Sequence, residues 1–423
     1  MDILSDLDAR GLIHDTTDRA ALAKRLEEGP VSLYCGFDPT ADSLHVGNLI
    51  GLLTLRRFQL AGHRPVSLAG GATGMVGDPS GKSSERNLLD DDALAGNLEL
   101  IVPSLRQFLD FSGDNAAKLV DNRAWTVGVS FLDFLRDVGK HATVNQMIAK
   151  ESVKARMASD DGISYTEFSY MLLQAYDYAW LAENEGIELQ VGGSDQWGNI
   201  VLGVDLIRRK LGTKAHALTW PLLLQKDGTK YGKTESGDTM WLGAHRMSPY
   251  RFYQAWMAVE DSEIRKLLLQ LTFRPVEECL EIAEAHGADP GSRLGQKTLA
   301  SDLTALVHGD EAVTGAVEAS DLLFSRDADP TSASAAAFEH LASEVPTTEV
   351  DDLSGSVVDA LVDTGLATSK GDARRAIAEG GVYVNGERIS DAEHGYTTVE
   401  ALAGGHHLLR RGKKRYHLLR MRR

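Results

Sequence analysis

The chain has 423 residues, 43% of them hydrophobic and 25% charged, enough for two to four domains with full cores. It has no run of ~18 apolar residues, so no membrane span is expected, and the acidic start MDILSDLDARGLIHDTTDRAALAKRL lacks the apolar stretch of a signal peptide. Two cysteines, Cys35 and Cys279, exclude a disulfide framework and a cysteine metal cluster and point to a reducing cytoplasm, while a net charge of −17 argues against nucleic acid except where the far C-terminus departs from it.

From about 31 to 220, short apolar runs (VSLYCGF, PVSLAGG, IELQVGG) alternate with long helical patterns, which predicts a parallel α/β sheet. The first run leads into GFDPTADSLHVGNLIGLLTLRRF, residues 36–58. Asp42 or Ser43 is a capping candidate for the helix, and Leu49, Ile50, Leu53 and Phe58 form a stripe to bury. His45, Gly47, Asn48 and Gly51 are not explained by packing. Two glycines four apart clear one helical face, for another backbone or for a flat ligand. Next, LAGGATGMVGDPSGKSSER imitates a P-loop, but Val76 stands where the motif requires glycine, and GGATGMVG is not a dinucleotide fingerprint. It reads as a loop at a strand's C-terminal end carrying Asp78, Lys82 and Arg86, cations for phosphate and a carboxylate for an ammonium group.

After GISYTEFS, a largely apolar helix puts Tyr170, Gln174 and Asp177 on one face. Buried there, they need polar partners, which a structural network or a small ligand with an ammonium group and a hydroxyl would supply. VGGSDQWGN places Gly193, Asp195 and Gln196 in a permissive loop suited to a ribose and a carboxylate. LLLQKDGTKYGKTESGDTMW carries Lys226, Lys230, Lys233 and Thr234, the groups needed to clamp a polyphosphate. Residues 246–325 are helical in pattern and 326–352 read as a linker with one helix. Residues 353–423 hold 12 Lys/Arg against 8 Asp/Glu, net +4, leaving −21 for the preceding 352. Arg374 and Arg375 on a helix, with Arg410, Arg411, Lys413, Lys414 and Arg415 in the tail, form a positive face fit for a phosphate backbone.

Five stretches in this order, YCGFDPTADSLHVGN, GGATGMVGDPSG, FSYMLLQAYD, GGSDQWGN and KYGKTESG, resemble the bacterial tyrosyl-tRNA synthetase family of class I aminoacyl-tRNA synthetases. PTADSLHVGN is similar to the family's His-Ile-Gly-His signature and KYGKT to its Lys-Met-Ser-Lys-Ser signature. The C-terminal section resembles the small RNA-binding domain this family shares with a ribosomal small-subunit protein. The resemblance implies a Rossmann-type parallel-sheet catalytic domain over 1–220 with an insertion that forms a homodimer, and a signature loop over 221–245. It further implies an α-helical anticodon-side domain over 246–325, a linker over 326–352 and a small α+β RNA-binding domain over 353–423.

It also implies that tyrosine and ATP give tyrosyl-adenylate and pyrophosphate, after which the tyrosyl group passes to tRNA(Tyr). The tyrosine carboxylate is the nucleophile, so the enzyme positions groups and stabilises charge. Thr40 and His45 would contact phosphates, Gly47 would let adenine lie on the helix, and Cys35, Gly36, Asp38, Gly193 and Asp195 would complete the ATP site. Lys230, Lys233 and Thr234 would close on pyrophosphate, with Lys82 and Arg86 opposite. Tyr34 and Asp177 would meet the phenol, Asp78, Tyr170 and Gln174 the ammonium, and Gln196 the carboxylate. Magnesium would travel with ATP, with no protein-held metal. Asn48 departs from the signature's second histidine; its amide N–H can still donate. The alternatives are a tryptophanyl synthetase, which would lack the Tyr34/Asp177 pair, and an inactive paralogue kept as an RNA-binding regulator, against which His45, Lys233 and Asp177 argue.

Overall fold

The apolar runs of the first half build one sheet. The computed structural model describes residues 2–80, 89–158, 162–224, 228, 231–232, 238–325, 328–351, 355–393, 395, 399–413 and 415–422. Among them, β1 (Asp15–Thr16), β2 (Ser32–Phe37), β3 (Arg64–Ala69), β4 (Lys118–Asp121), β5 (Leu189–Gly193) and β6 (His216–Trp220) hydrogen-bond in the order β1-β6-β5-β2-β3-β4. All pairs are parallel except β1–β6, which is antiparallel. The chain steps from β2 outward to β4, then returns to β5 on the other side of β2. That reversal opens a crevice at the carboxyl ends of β2 and β5, where α/β sheets bind ligands.

Three helices border the crevice. Helix Val46–Leu60 buries Leu49, Ile50, Leu53 and Phe58 as expected. Its cap differs from the expectation: His45, not Asp42 or Ser43, is the N-cap, with its Nδ1 accepting from the Gly47 N–H. Asn48 Oδ1 accepts from the His45 N–H and completes a capping box, a job the sequence motif of Ser/Thr with Glu/Gln does not advertise. Helix Tyr165–Glu185 starts at Ser164, whose side chain accepts from the Glu167 N–H, and stops at Gly186 with φ 65°, a left-handed position glycine adopts at no steric cost. Its Tyr178 hydroxyl donates to the carbonyls of Glu188 and His216, tying the helix to the start of β5 and β6. Helix Trp197–Lys210 follows β5 after a single 3-10 turn, Ser194–Gln196.

Contacts divide the chain into two compact units, Met1–Arg246 with Val259–Leu299, and Met247–Ala258 with Ala300–Arg423. Residues 246–325 therefore contribute to both. Helices Ile264–Leu271 and Val276–Ala288 stay with the first unit, where the buried Arg10 and Arg57 donate to the carbonyls of Leu269, Arg274, Gln270 and Thr272. In the second unit Gln254, on helix Pro249–Met257, donates to Ser320 on helix Asp310–Phe324. Residues 328–351 are more than a linker: they hold helix Ala335–Ala342 and strand β7 (Thr347–Val350). With β8 (Val382–Val384), β9 (Glu387–Arg388), β10 (His406–Arg411) and β11 (Arg415–Met421), β7 forms a five-stranded sheet in the order β7-β11-β10-β8-β9. Its parallel pairing to β11 is a long-range contact invisible to local composition. Helices Val357–Asp363 and Lys370–Ala378 close the core over Val382, Val384, Leu409 and Leu419. Among the described residues no helix is long and apolar enough to cross a membrane.

Candidate active site

A cleft of about 570 Å³ occupies the crevice, lined from β2, β5, the start of helix Val46–Leu60 and one face of helix Tyr165–Glu185. It brings together Tyr34, Cys35, Gly36, Asp38, Thr40, His45, Gly47, Asn48, Asp78, Tyr170, Gln174, Asp177, Gly193, Asp195 and Gln196 of the sequence expectation. Lys82, Arg86, Lys226, Lys230, Lys233, Thr234 and Lys414 lie outside the described residues.

Asp177 is buried at the foot of the cleft. Both carboxylate oxygens accept: Oδ1 from Trp125 Nε1 at 2.8 Å and Oδ2 from Asn122 Nδ2 at 2.9 Å. This carboxyl stands at about 7, raised mainly by burial against the pull of its two hydrogen bonds, with the negative charges of Asp38 and Asp121 adding to the rise. Tyr34 is buried beside it, its phenol held well above the usual value by burial and then by Asp177. Its hydroxyl has no hydrogen-bond partner among the described residues, nor has the Gln190 Oε1 on the neighbouring strand. Orphaned polar atoms in a protein interior cost about 1–3 kcal/mol each, so a ligand hydroxyl here recovers free energy.

A second polar group faces the same cleft. The Tyr170 hydroxyl donates to Asp38 Oδ2 and the Thr73 hydroxyl to Asp38 Oδ1, both at 2.7 Å. Having spent its proton, the Tyr170 oxygen presents lone pairs. Gln174 Oε1 accepts from Asn199 Nδ2, and Asp78 accepts from Gln196 Nε2 and the Ser80 N–H. The result is a set of acceptors suited to an ammonium group. Asn122 links the two regions, donating to Thr73 as well as Asp177 and accepting from the Ala72 N–H. Asn122, Trp125 and Thr73 went unnoticed in the sequence. NRAWT directly follows β4, and nothing local in it marks these roles.

The helix start answers the puzzle of the two glycines in halves. A Cβ on Gly47 would lie 2.7 Å from the His45 ring, so glycine lets the capping imidazole fold over the helix end. A Cβ on Gly51 would press on Phe37 and the Cys35 sulfur, so that glycine serves packing against β2. Because His45 Nδ1 accepts, a neutral ring carries its proton on Nε2, a donor at a helix N-terminus that itself favours anions. Burial pushes the Cys35 thiol up to about 12, so it is a neutral contact. Across the cleft, Val46 N–H donates to the Met240 carbonyl and Leu242 N–H to the Leu44 carbonyl, which brings Thr239 and Trp241 into the lining.

In the second unit Arg374, Arg375 and Lys413 are exposed, while the Arg410 guanidinium lies 4.0 Å over the Tyr383 ring. Arg415 donates to the Gly365 carbonyl. Arg411 departs from the expectation of a phosphate contact: it is half-buried in a two-pronged pair with Asp372, at 2.8 and 2.9 Å, and donates to the Leu366 carbonyl. It ties helix Lys370–Ala378 to the hairpin that presents the other cations.

A histidine-capped helix at a sheet's reversal point, facing a cleft lined with hydrogen-bond acceptors, defines a class. Residues 26–325 match the family described as tRNA synthetases class I (W and Y), and the chain belongs to it. Residues 337–419 match the tyrosine–tRNA ligase SYY-like C-terminal domain. The chain is 55% identical over 427 residues to a tyrosine–tRNA ligase of Opitutus terrae, covering all of both chains, and 49% identical to one of Roseiflexus castenholzii, covering 99% of each. Among solved structures it resembles a C-terminally truncated mitochondrial tyrosyl-tRNA synthetase of Aspergillus nidulans, with TM-score 0.69 and 29% identity over 76% of this chain and 94% of that one.

Proposed function

We propose that the chain activates L-tyrosine with ATP, giving tyrosyl-adenylate and pyrophosphate, and then transfers the tyrosyl group to the 3′ end of tRNA(Tyr). The observation that carries the tyrosine assignment is the orphaned Tyr34 hydroxyl beside the doubly hydrogen-bonded Asp177, in the same cleft as the acceptors Tyr170, Gln174 and Asp78. Phenol and ammonium then find complementary groups at opposite ends of one amino acid. Phenylalanine would leave the Tyr34 hydroxyl without a partner and bring no donor to Asp177, a penalty that selects against it.

The tyrosine carboxylate attacks the α-phosphorus, and pyrophosphate leaves. His45 Nε2–H, the amide end of Asn48 and the helix N-terminus receive the developing phosphate charge, with Thr40 nearby; Gly47 and Gly36 leave room for the nucleotide, and Cys35, Gly193 and Asp195 attend the ribose. Lys82, Arg86, Lys230, Lys233 and Thr234 complete the pyrophosphate clamp in this reading. Magnesium enters with ATP as part of the substrate.

The enzyme is a cytoplasmic homodimer in this proposal. Phe131, Leu132, Val127 and Val144 support a partner surface: Phe131 and Leu132 are 65% and 75% exposed, in the insertion between β4 and β5. Arg374, Arg375, Arg410, Lys413, Lys414 and Arg415 would hold tRNA. ATP–pyrophosphate exchange with each of the twenty amino acids tests the assignment. Tyrosine alone should support strong exchange; equal exchange with phenylalanine or tryptophan would refute it.

A further inference from the structure

The two donors on Asp177 are held in different ways. Asn122 is fixed by three bonds: it accepts from Ala72 N–H at 2.7 Å and donates to Thr73 at 3.0 Å as well as to Asp177. Trp125 lies on the four-residue helix Arg123–Thr126, which has no side-chain cap, and its ring nitrogen has one bond, to Asp177. So short a helix does not orient its side chains unaided. The indole plane is set instead by Trp180, stacked on it with centroids 4.2 Å apart and the rings within 8° of parallel. Trp180 sits three residues after Asp177, on the same helix, so ring and carboxylate form one rigid unit against which Trp125 docks.

We propose that Trp180 is a positioning residue for tyrosine recognition: its ring, stacked on Trp125, holds the indole N–H on Asp177 and keeps that carboxylate aimed at the phenol. The proposal rests on the tyrosine reading of the cleft. What makes the indole bond matter is the company Asp177 keeps. The titratable groups that bear on it include Tyr34, Tyr170, Tyr176, Asp38 and Asp121, each of them neutral or anionic. Against burial and two like charges, the neutral donors Asn122 and Trp125 are the groups that favour the ionised form. An unstacked indole swings, Oδ1 loses its donor, and the carboxyl takes up a proton that competes with the phenol.

The test uses the full-length protein with Trp180→Leu, Trp180→Phe and, as a benchmark, Asp177→Asn, in tyrosine- and phenylalanine-dependent exchange from pH 6 to 9. Trp180→Leu should raise KM for tyrosine about tenfold with kcat little changed, the loss expected for one hydrogen bond to a charged group. The preference for tyrosine over phenylalanine should fall by the same factor, and the midpoint for tyrosine kcat/KM should move to higher pH. Trp180→Phe, still able to stack, should restore most of both. Should Trp180→Leu fail to fold, Trp180→Met, unstacked but bulky, is read the same way. A lowered melting temperature with unchanged preference and unchanged pH midpoint would overturn the proposal and leave Trp180 as packing. If Asp177→Asn itself leaves the preference intact, the reading of the cleft falls with it; if Asp177→Asn destroys the preference and Trp180→Leu does not, only the role of Trp180 falls.

Discussion

Asp177 shows what one side chain costs and supplies. Its carboxyl is raised from an ordinary value near 3.8 to about 7, mainly by burial, so the folded protein holds a proton that the unfolded chain releases. Between roughly pH 4 and 7 the folded state therefore binds more protons than the unfolded one, and stability falls as pH rises through that window. Tyrosine recognition has the opposite sign, since the phenol donates best to the carboxylate that forms as pH rises. Removing the titrating group separates the two effects: in Asp177→Asn, the decline of stability from pH 4.5 to 7 should be shallower than in the native protein, measured by urea unfolding. An unchanged slope would mean that Asp177 titrates normally. From the sequence, Asp177 could be named because a polar residue stood on the buried face of a helix, whereas Tyr34 was named through the family resemblance alone. Asn122 and Trp125 could not, because what marks them is a bond to a residue more than fifty positions away.

Helix Tyr165–Glu185 presents Tyr170, Gln174 and Asp177 to the cleft, and its first turn is pinned from outside. Glu167 pairs with Arg156 through two 2.8 Å bonds, and each side chain is only 2% exposed. Breaking a buried pair by removing one charge leaves the other stranded, at a cost of about 3–5 kcal/mol. Glu167→Gln should lose stability of that order in denaturant titrations and raise KM for tyrosine, since Tyr170 follows less than one turn later; Arg156→Met with Glu167→Leu should recover much of the stability. A Glu167→Gln protein as stable as the native one would show the pair to be dispensable. The periodicity of this helix and of Val46–Leu60 was readable, as was alternation into a parallel sheet. The His45 cap was not, because an imidazole accepting from its own helix is outside the usual capping alphabet. In the second unit, burial lowers His308 and His407 to about 4 and also lowers His340 and His417. A histidine kept neutral on folding contributes stability that is lost as pH falls from about 6.5 toward 4. Phe252 stands edge-on to both His308 and Trp256, so Trp256 emission should report loosening in that window, less so in His308→Asn; identical acid profiles would remove His308 from the effect.

At the scale of the whole chain, charge is divided: −21 over residues 1–352 and +4 over the rest. That asymmetry was legible by counting, but where the basic section begins as a folded body was not. β7 pairs with β11, so a cut after Asp352 would strand a strand of the C-terminal sheet; a cut after Ser343 removes the sheet entire. Every residue lining the cleft lies at or before Trp241. Truncation after Ser343 should therefore leave tyrosine-dependent pyrophosphate exchange nearly intact and abolish tRNA charging, because an acidic body repels RNA once its positive section is gone. Point substitutions in the intact protein separate contact from scaffold. Lys413→Ala should weaken tRNA binding and lower the slope of log K against log salt by about one, with unchanged melting, if its exposed ammonium meets a phosphate. Arg411→Ala should instead lower the stability of the second unit, since it strands Asp372, whose carboxyl Arg411 holds far below the usual range. Charging by the truncated enzyme equal to that of the native one at physiological salt would mean that tRNA is gripped elsewhere on the molecule. An Arg411→Ala protein with native stability and a lowered salt slope would return that arginine to the RNA face.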